Sequence, residues 1–119
     1  MKYIGIVGSR RRNTPIDEKK VVEEFFSIYA DGDYIVSGGC PKGGDRFAES
    51  IAKSTGIPII IFYANWSRGR SAGFIRNDLI AKKSDVLIAC VASDRTGGTE
   101  DTIKKFLKRK SKKYLYLVK

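Results

Sequence analysis

The sequence predicts an α/β fold: a single three-layer domain spanning residues 1–119, built on a five-stranded parallel sheet. Three observations carry this. Short apolar runs alternate along the chain with longer segments of helical periodicity, five of the first and four of the second. The third run, residues 57–62, is almost wholly apolar, as expected of a strand covered on both faces. Glycine-rich segments follow the first, second and fourth runs, where sheets of this kind bind ligands.

The elements follow in order. Residues 3–7 form a short first strand, and Gly8-Ser9-Arg10 turns out of it. Thr14-Pro15 reads as a helix N-cap followed by proline at the first helical position, with Asp17 and Glu18 in the first turn. Val22, Phe25, Phe26 and Tyr29 then recur on one helical face. Asp31-Gly32-Asp33 breaks this helix, and residues 34–37 form the second strand. A second helix over about 45–54 turns Phe47, Ala48, Ile51 and Ala52 inward, with Gly56 as its stop. The third strand is residues 57–62. A loop holding Asn65, Trp66 and Gly69 leads to a third helix over about 72–82, with Ala72, Ile75 and Leu79 predicted inward. Residues 85–90 are the fourth strand. Gly97-Gly98-Thr99 opens a fourth helix with Ile103, Phe106 and Leu107 as its apolar face, and residues 114–118 close the sheet. Right-handed crossovers place helices on both faces, and a Rossmann-like order, 3-2-1-4-5, is predicted.

Composition excludes several functions. The chain has no histidine, which removes Ser-His-Asp and Cys-His catalysis and any histidine metal site. Two cysteines cannot form a Cys₄ site or a disulfide scaffold, and no metal site or cofactor is expected. Cys40 and Cys90 fall near the ends of strands 2 and 4, which flank strand 1 at about 9–10 Å, so free thiols are expected. No apolar run approaches a membrane span, no signal peptide is discernible, and a cytoplasmic location is expected.

The net charge is +10, and its distribution is uneven. From Lys104 to Lys119 there are eight basic residues and no acidic one; subtracting them leaves +2 for the rest of the chain. The run reads either as a solvated helix complementing its own C-terminal dipole or as a surface for phosphate backbone or an acidic partner.

Four constellations carry chemistry. In Gly8-Ser9-Arg10 a small residue admits a ligand to the backbone, a hydroxyl can donate, and a guanidinium can clamp phosphate. In residues 38–45, GGCPKGGD, the four glycines Gly38, Gly39, Gly43 and Gly44 can present backbone amides to an anion, with Lys42 adding charge. Asp45 either caps the following helix or contacts a ligand. Gly97, Gly98 and Thr99 again offer amides and a hydroxyl at a helix start. Glu100 and Asp101 beside them also suit the helix dipole without any function. Arg76-Asn77 on the third helix is either a surface pair or a reach over the sheet edge. Trp66, the only tryptophan, is expected in core or lid packing, with stacking on a base as the alternative.

Taken in order, GSR, SGGCPKGGDRFAE, ANW, AGFIRN and GGTEDTI resemble the SLOG superfamily. Within that Rossmann-like group, which includes the Lonely Guy phosphoribohydrolases and DprA, they look most like the small YspA-related branch. The resemblance runs from Tyr3 to about Phe106. It implies a nucleotide or nucleotide-derived ligand in a pocket above the sheet, lined by Ser9, Arg10, Gly38, Gly39, Gly43, Asp45, Trp66, Arg76, Asn77, Gly98 and Thr99. It also suggests a homodimer. The Lonely Guy motif carries a carboxylate that falls here on Thr102.

Three functions are therefore expected in order of preference. The first is a sensor-like nucleotide-binding module. The second is a nucleoside monophosphate phosphoribohydrolase, with Arg76, Glu100 and Asp45 as catalytic candidates. The third is a nucleic-acid binder using the phosphate pocket and the basic tail together.

Overall fold

The computed structural model describes residues 1–119. Its sheet contains β1 (Tyr3–Gly8), β2 (Tyr34–Ser37), β3 (Ile59–Ile61), β4 (Val86–Cys90) and β5 (Leu115–Val118). All pairings are parallel, in the order β3-β2-β1-β4-β5. Four α-helices connect them: α1 (Pro15–Ile28), α2 (Gly44–Thr55), α3 (Ser71–Lys83) and α4 (Gly98–Leu107). The predicted fold and strand order are those observed. No helix is long and apolar enough to cross a membrane.

Strand alternation divides the core between the two faces. Ile4, Ile6, Ile35, Ile88 and Cys90 pack under α1 and α2, against Val21, Phe25, Phe47, Ala48 and Ile51. Val7, Val36, Leu87 and Ala89 point the other way, under Ile80 and Ala81 of α3 and Ile103 and Phe106 of α4. Central β4 is buried along its whole length. β3 is shorter than the apolar run that announces it, and its residues are only half-buried, because it is an edge strand.

Helix ends follow the local signals. Thr14 accepts from Asp17 N while the Asp17 carboxylate accepts from Thr14 N, a complete capping box. Gly56 ends α2 in the left-handed conformation, φ 78°.

Helix rotation corrects three expectations. On α1, Phe25 is buried and Val22 and Tyr29 pack against the core as expected, but Phe26 is exposed and Val21 is buried in addition. α4 buries Thr99, Thr102, Ile103 and Phe106, and leaves Leu107 exposed. In α3 the inward residues are Ala72, Asn77, Ile80 and Ala81, whereas Ile75 and Leu79 are 52% and 41% exposed. The physical cause in α3 is polar. Asn77 donates to Gly98 O and to Asp101, and Arg76 donates to Gly38 O, and these anchors turn the helix away from its apolar 75/79 stripe.

Both cysteines are free, as their positions predict.

Candidate functional site

A cavity of about 730 Å³ lies beyond the carboxyl ends of the strands, where the chain leaves β1 toward one face and β4 toward the other. Its floor is backbone. Gly8 and Ser9 come from the end of β1, and Gly38 and Gly39 from the end of β2. Gly97, Gly98 and Thr99 come from the amino end of α4, which no side chain caps. That end leaves orphan amides and a positive dipole facing the cavity.

The loop before α4 is held by two forked ion pairs. Arg11 donates to both oxygens of Asp94, 2.8 Å each, and to Thr96 Oγ1 at 2.9 Å. Asp94 is held well below the usual carboxylate range by these Arg11 and Thr96 hydrogen bonds. Arg95 adopts φ 54°, uncommon for a residue with a side chain, and clamps Glu100 at 2.8 and 2.9 Å. Glu100 is thus occupied by Arg95 and lies outside the cavity lining.

Four guanidinium groups line the cavity, those of Arg10, Arg11, Arg70 and Arg76, against one carboxylate, Asp45. Arg11 is engaged by Asp94. Arg76 donates through Nη1 to Gly38 O at 2.6 Å and through Nε to Asn77 Oδ1 at 3.0 Å. Arg10 and Arg70 are exposed and make no hydrogen bond to the protein. One wall is aromatic, formed by Tyr63, Trp66 and Phe74. Trp66 is 63% exposed, so it is a lip of the cavity and not a core residue; its ring rests over Gly73, where a Cβ would come within 3.0 Å of it.

Asp45 does not cap α2, whose N-cap is Gly43. It is buried, with Oδ2 accepting from Cys40 N at 3.0 Å and Oδ1 lying 2.9 Å from Ser37 Oγ. Burial pushes this carboxyl above its ordinary range, against the Cys40 amide, the Ser37 hydroxyl and the Arg76 charge. The geometry agrees. Ser37 Oγ is also 2.7 Å from Ile6 O, yet a hydroxyl has one hydrogen for two acceptors. Ser37 can donate to Ile6 O and accept from Asp45 only when that carboxyl carries a proton, and donates to one of the two when it does not.

The structure therefore brings together Gly8, Ser9, Arg10, Gly38, Gly39, Asp45, Trp66, Arg76, Asn77, Gly97, Gly98 and Thr99. It leaves out Lys42, Gly43 and Gly44. Gly43 N donates to Asn13 Oδ1, and Gly44 sits directly against the backbone of Val7 and Gly8. These two glycines serve close packing of α2 on β1, and the predicted anion cradle at that helix start is filled by protein. Sequence reasoning missed Arg70, Tyr63 and Phe74. The only local signal for Arg70 is its place beside Gly69, just ahead of α3. Thr102 is buried and reaches the cavity. No three Cys, Asp or Glu side chains gather into a group able to hold a metal ion.

The fold and this site define an α/β domain with an arginine- and glycine-lined cavity at its switch point. No family model, curated protein or solved structure matches the chain.

Proposed function

We propose that the protein binds a nucleotide or nucleotide-derived ligand in this cavity and acts as a sensor-like module without turnover. The observation that carries the reading is the pairing of two unpartnered guanidiniums, Arg10 and Arg70, with an uncapped helix start at Gly97-Gly98 and an aromatic wall at Trp66 and Phe74. Arginine and helix-start amides suit phosphate oxygens. The aromatic rings suit the face of a base. The resemblance to the SLOG superfamily favours the same ligand class.

The test is a thermal-shift screen across nucleoside mono-, di- and triphosphates and ADP-ribose-type compounds. A ligand at 100 times its dissociation constant stabilises the fold by about 2.7 kcal/mol. Stabilisation by inorganic phosphate equal to that by any nucleotide would sink the base-recognition half of the reading.

One observation favours a second reading, hydrolysis of the N-glycosidic bond of a nucleotide. Asp45 is a cavity carboxylate with a raised proton affinity, which suits a general acid. Against it, Asp45 is engaged by Ser37 and the Cys40 amide, and the motif carboxylate is replaced by Thr102.

A further inference from the structure

The basic residues that follow α4, Lys108 to Lys113, and the cavity stand at opposite ends of the sheet. β4 separates them by five residues, about 17 Å of strand, beyond the ~10 Å screening length at 0.1 M salt. α3 and α4 both end at the amino edge. There Arg109 donates to Asp78 at 2.8 Å and Lys110 donates to Ser84 O at 3.1 Å, joining the segment after α4 to the end of α3. Lys104 and Lys105 lie midway along α4, where Lys105 donates to Phe74 O and Asp101, and Lys119 lies at the carboxyl end of β5, where Lys20 donates to its carbonyl. The basic residues after α4 therefore stand apart from the cavity.

At this amino edge, pairing uses up few of the cations. Arg109 meets Asp78, and Lys110 lies 3.8 Å from Asp85. Lys82, Lys83, Lys108, Lys112 and Lys113 have no acidic partner. Two of these, Lys83 and Lys113, lie over the rings of Tyr3 and Tyr114.

We propose that these five lysines form a docking surface for the phosphate backbone of a nucleic acid, separate from the cavity. The chemistry selects this occupant. The free cations are all lysines, point charges that accept phosphates along a strand without bidentate geometry. An acidic peptide would be better served by arginine forks, and the single arginine here, Arg109, is already taken by Asp78. A bilayer surface needs a second, apolar anchor besides the charge. Ile103 and Phe106 of α4 are buried in the core, and the exposed apolar residues nearest these lysines, Leu79, Leu107 and Tyr114, are each less than half exposed.

The experiment is fluorescence anisotropy with a labelled 20-base-pair DNA duplex of arbitrary sequence, between 50 and 200 mM salt. Four to six phosphate contacts give a slope of log K on log salt of about −4 to −5. Lys108→Gln, Lys112→Gln and Lys113→Gln together should flatten that slope by about 2 to 3. The charge-matched triple Lys19→Gln, Lys20→Gln and Lys53→Gln, on α1 and α2, should change it by less than 1. Equal flattening by both triples would mean attraction to net charge alone and would overturn the proposal. So would absent duplex binding at 50 mM salt, or tighter binding to phosphatidylserine vesicles or polyglutamate than to DNA. Nucleotide binding in the cavity is measured separately and should stay within threefold in the lysine triple, so failure of one reading leaves the other standing.

Discussion

The Nε of Arg76 donates to Oδ1 of its own chain neighbour Asn77 at 3.0 Å. Adjacent residues on a helix project about 100° apart, so this bond forms only because both side chains are drawn to the same place. Arg76 is pulled by the Gly38 carbonyl at the end of β2, and Asn77 by Gly98 O at the start of α4. The result is a relay from β2 through α3 to α4 along the cavity floor. It fixes where the Gly38-Gly39 and Gly97-Gly98 amides stand relative to each other.

Arg76→Ala should therefore act twice. Nucleotide binding should weaken by about 2–4 kcal/mol, the range for truncating one partner of a buried charged hydrogen bond. Stability should also fall, by about 1–3 kcal/mol, because Gly38 O and Asn77 lose their donor. Arg76→Lys can reach Gly38 O but cannot fork to Asn77, and should recover stability more than affinity. Calorimetry with AMP and ADP, beside thermal melts, separates the two effects. Unchanged affinity in Arg76→Ala would move the ligand site elsewhere.

Asp45 gives the cavity a pH dependence. Its folded proton affinity is raised by burial above the ordinary carboxyl value of 3.8. Between that value and the raised one, the folded chain binds more protons than the unfolded chain. Stability due to this group is thus greatest at low pH and falls as pH rises through that window. Anionic ligands should bind more weakly over the same rise, as a carboxylate charge appears beside Arg76. Asp45→Asn can donate to Ser37 and accept from the Cys40 amide, so it should fold and remove both dependences. Persistence of the affinity slope in the Asn variant would show that another group titrates.

Two glycine substitutions should part ways. At Gly44 a Cβ would enter the backbone of Val7 and Gly8, which cannot move aside, so Gly44→Ala should cost about 3 kcal/mol or more, or prevent folding. At Gly98 a Cβ meets nothing within 4 Å and the conformation is open to any residue. Gly98→Ala should melt within about 0.5 kcal/mol of the parent. Its methyl group at the amide cradle should nonetheless weaken nucleotide binding about tenfold, as a clash of ~1.4 kcal/mol would. A Gly98→Ala variant that binds normally would place the phosphate away from α4.

Release of free base from nucleoside monophosphates should be negligible. General acid–base assistance is worth about 10²–10⁴ in rate, and Asp45, the one carboxylate lining the cavity, is held by Ser37 and the Cys40 amide. Turnover near 1 per second, abolished by Asp45→Asn, would replace the sensor reading with the enzyme.

The alternation of apolar runs and helical periods determined the α/β class, and the glycine segments after β1, β2 and β4 marked the edge at which the cavity forms. These signals are local and sum along the chain. The Thr14-Pro15 start of α1, the Gly56 stop of α2 and the inward face of α2 were legible for the same reason. The rotation of α3 was not. Its apolar residues fit the 75/79 stripe at least as well as the 72/80 stripe, and hydrogen bonds to Gly38 and Gly98, 38 and 21 residues away, decided between them. Gly43 and Gly44 looked like Gly97 and Gly98 in sequence. Only the packing of α2 against β1 made the first pair a structural contact and left the second open to the cavity. The charge run at the C-terminal end was visible at once, but its distance from the cavity was not. That follows from parallel topology, which returns each helix to the amino edge before the next strand begins, and so sets the ends of α3 and α4 opposite the glycine loops.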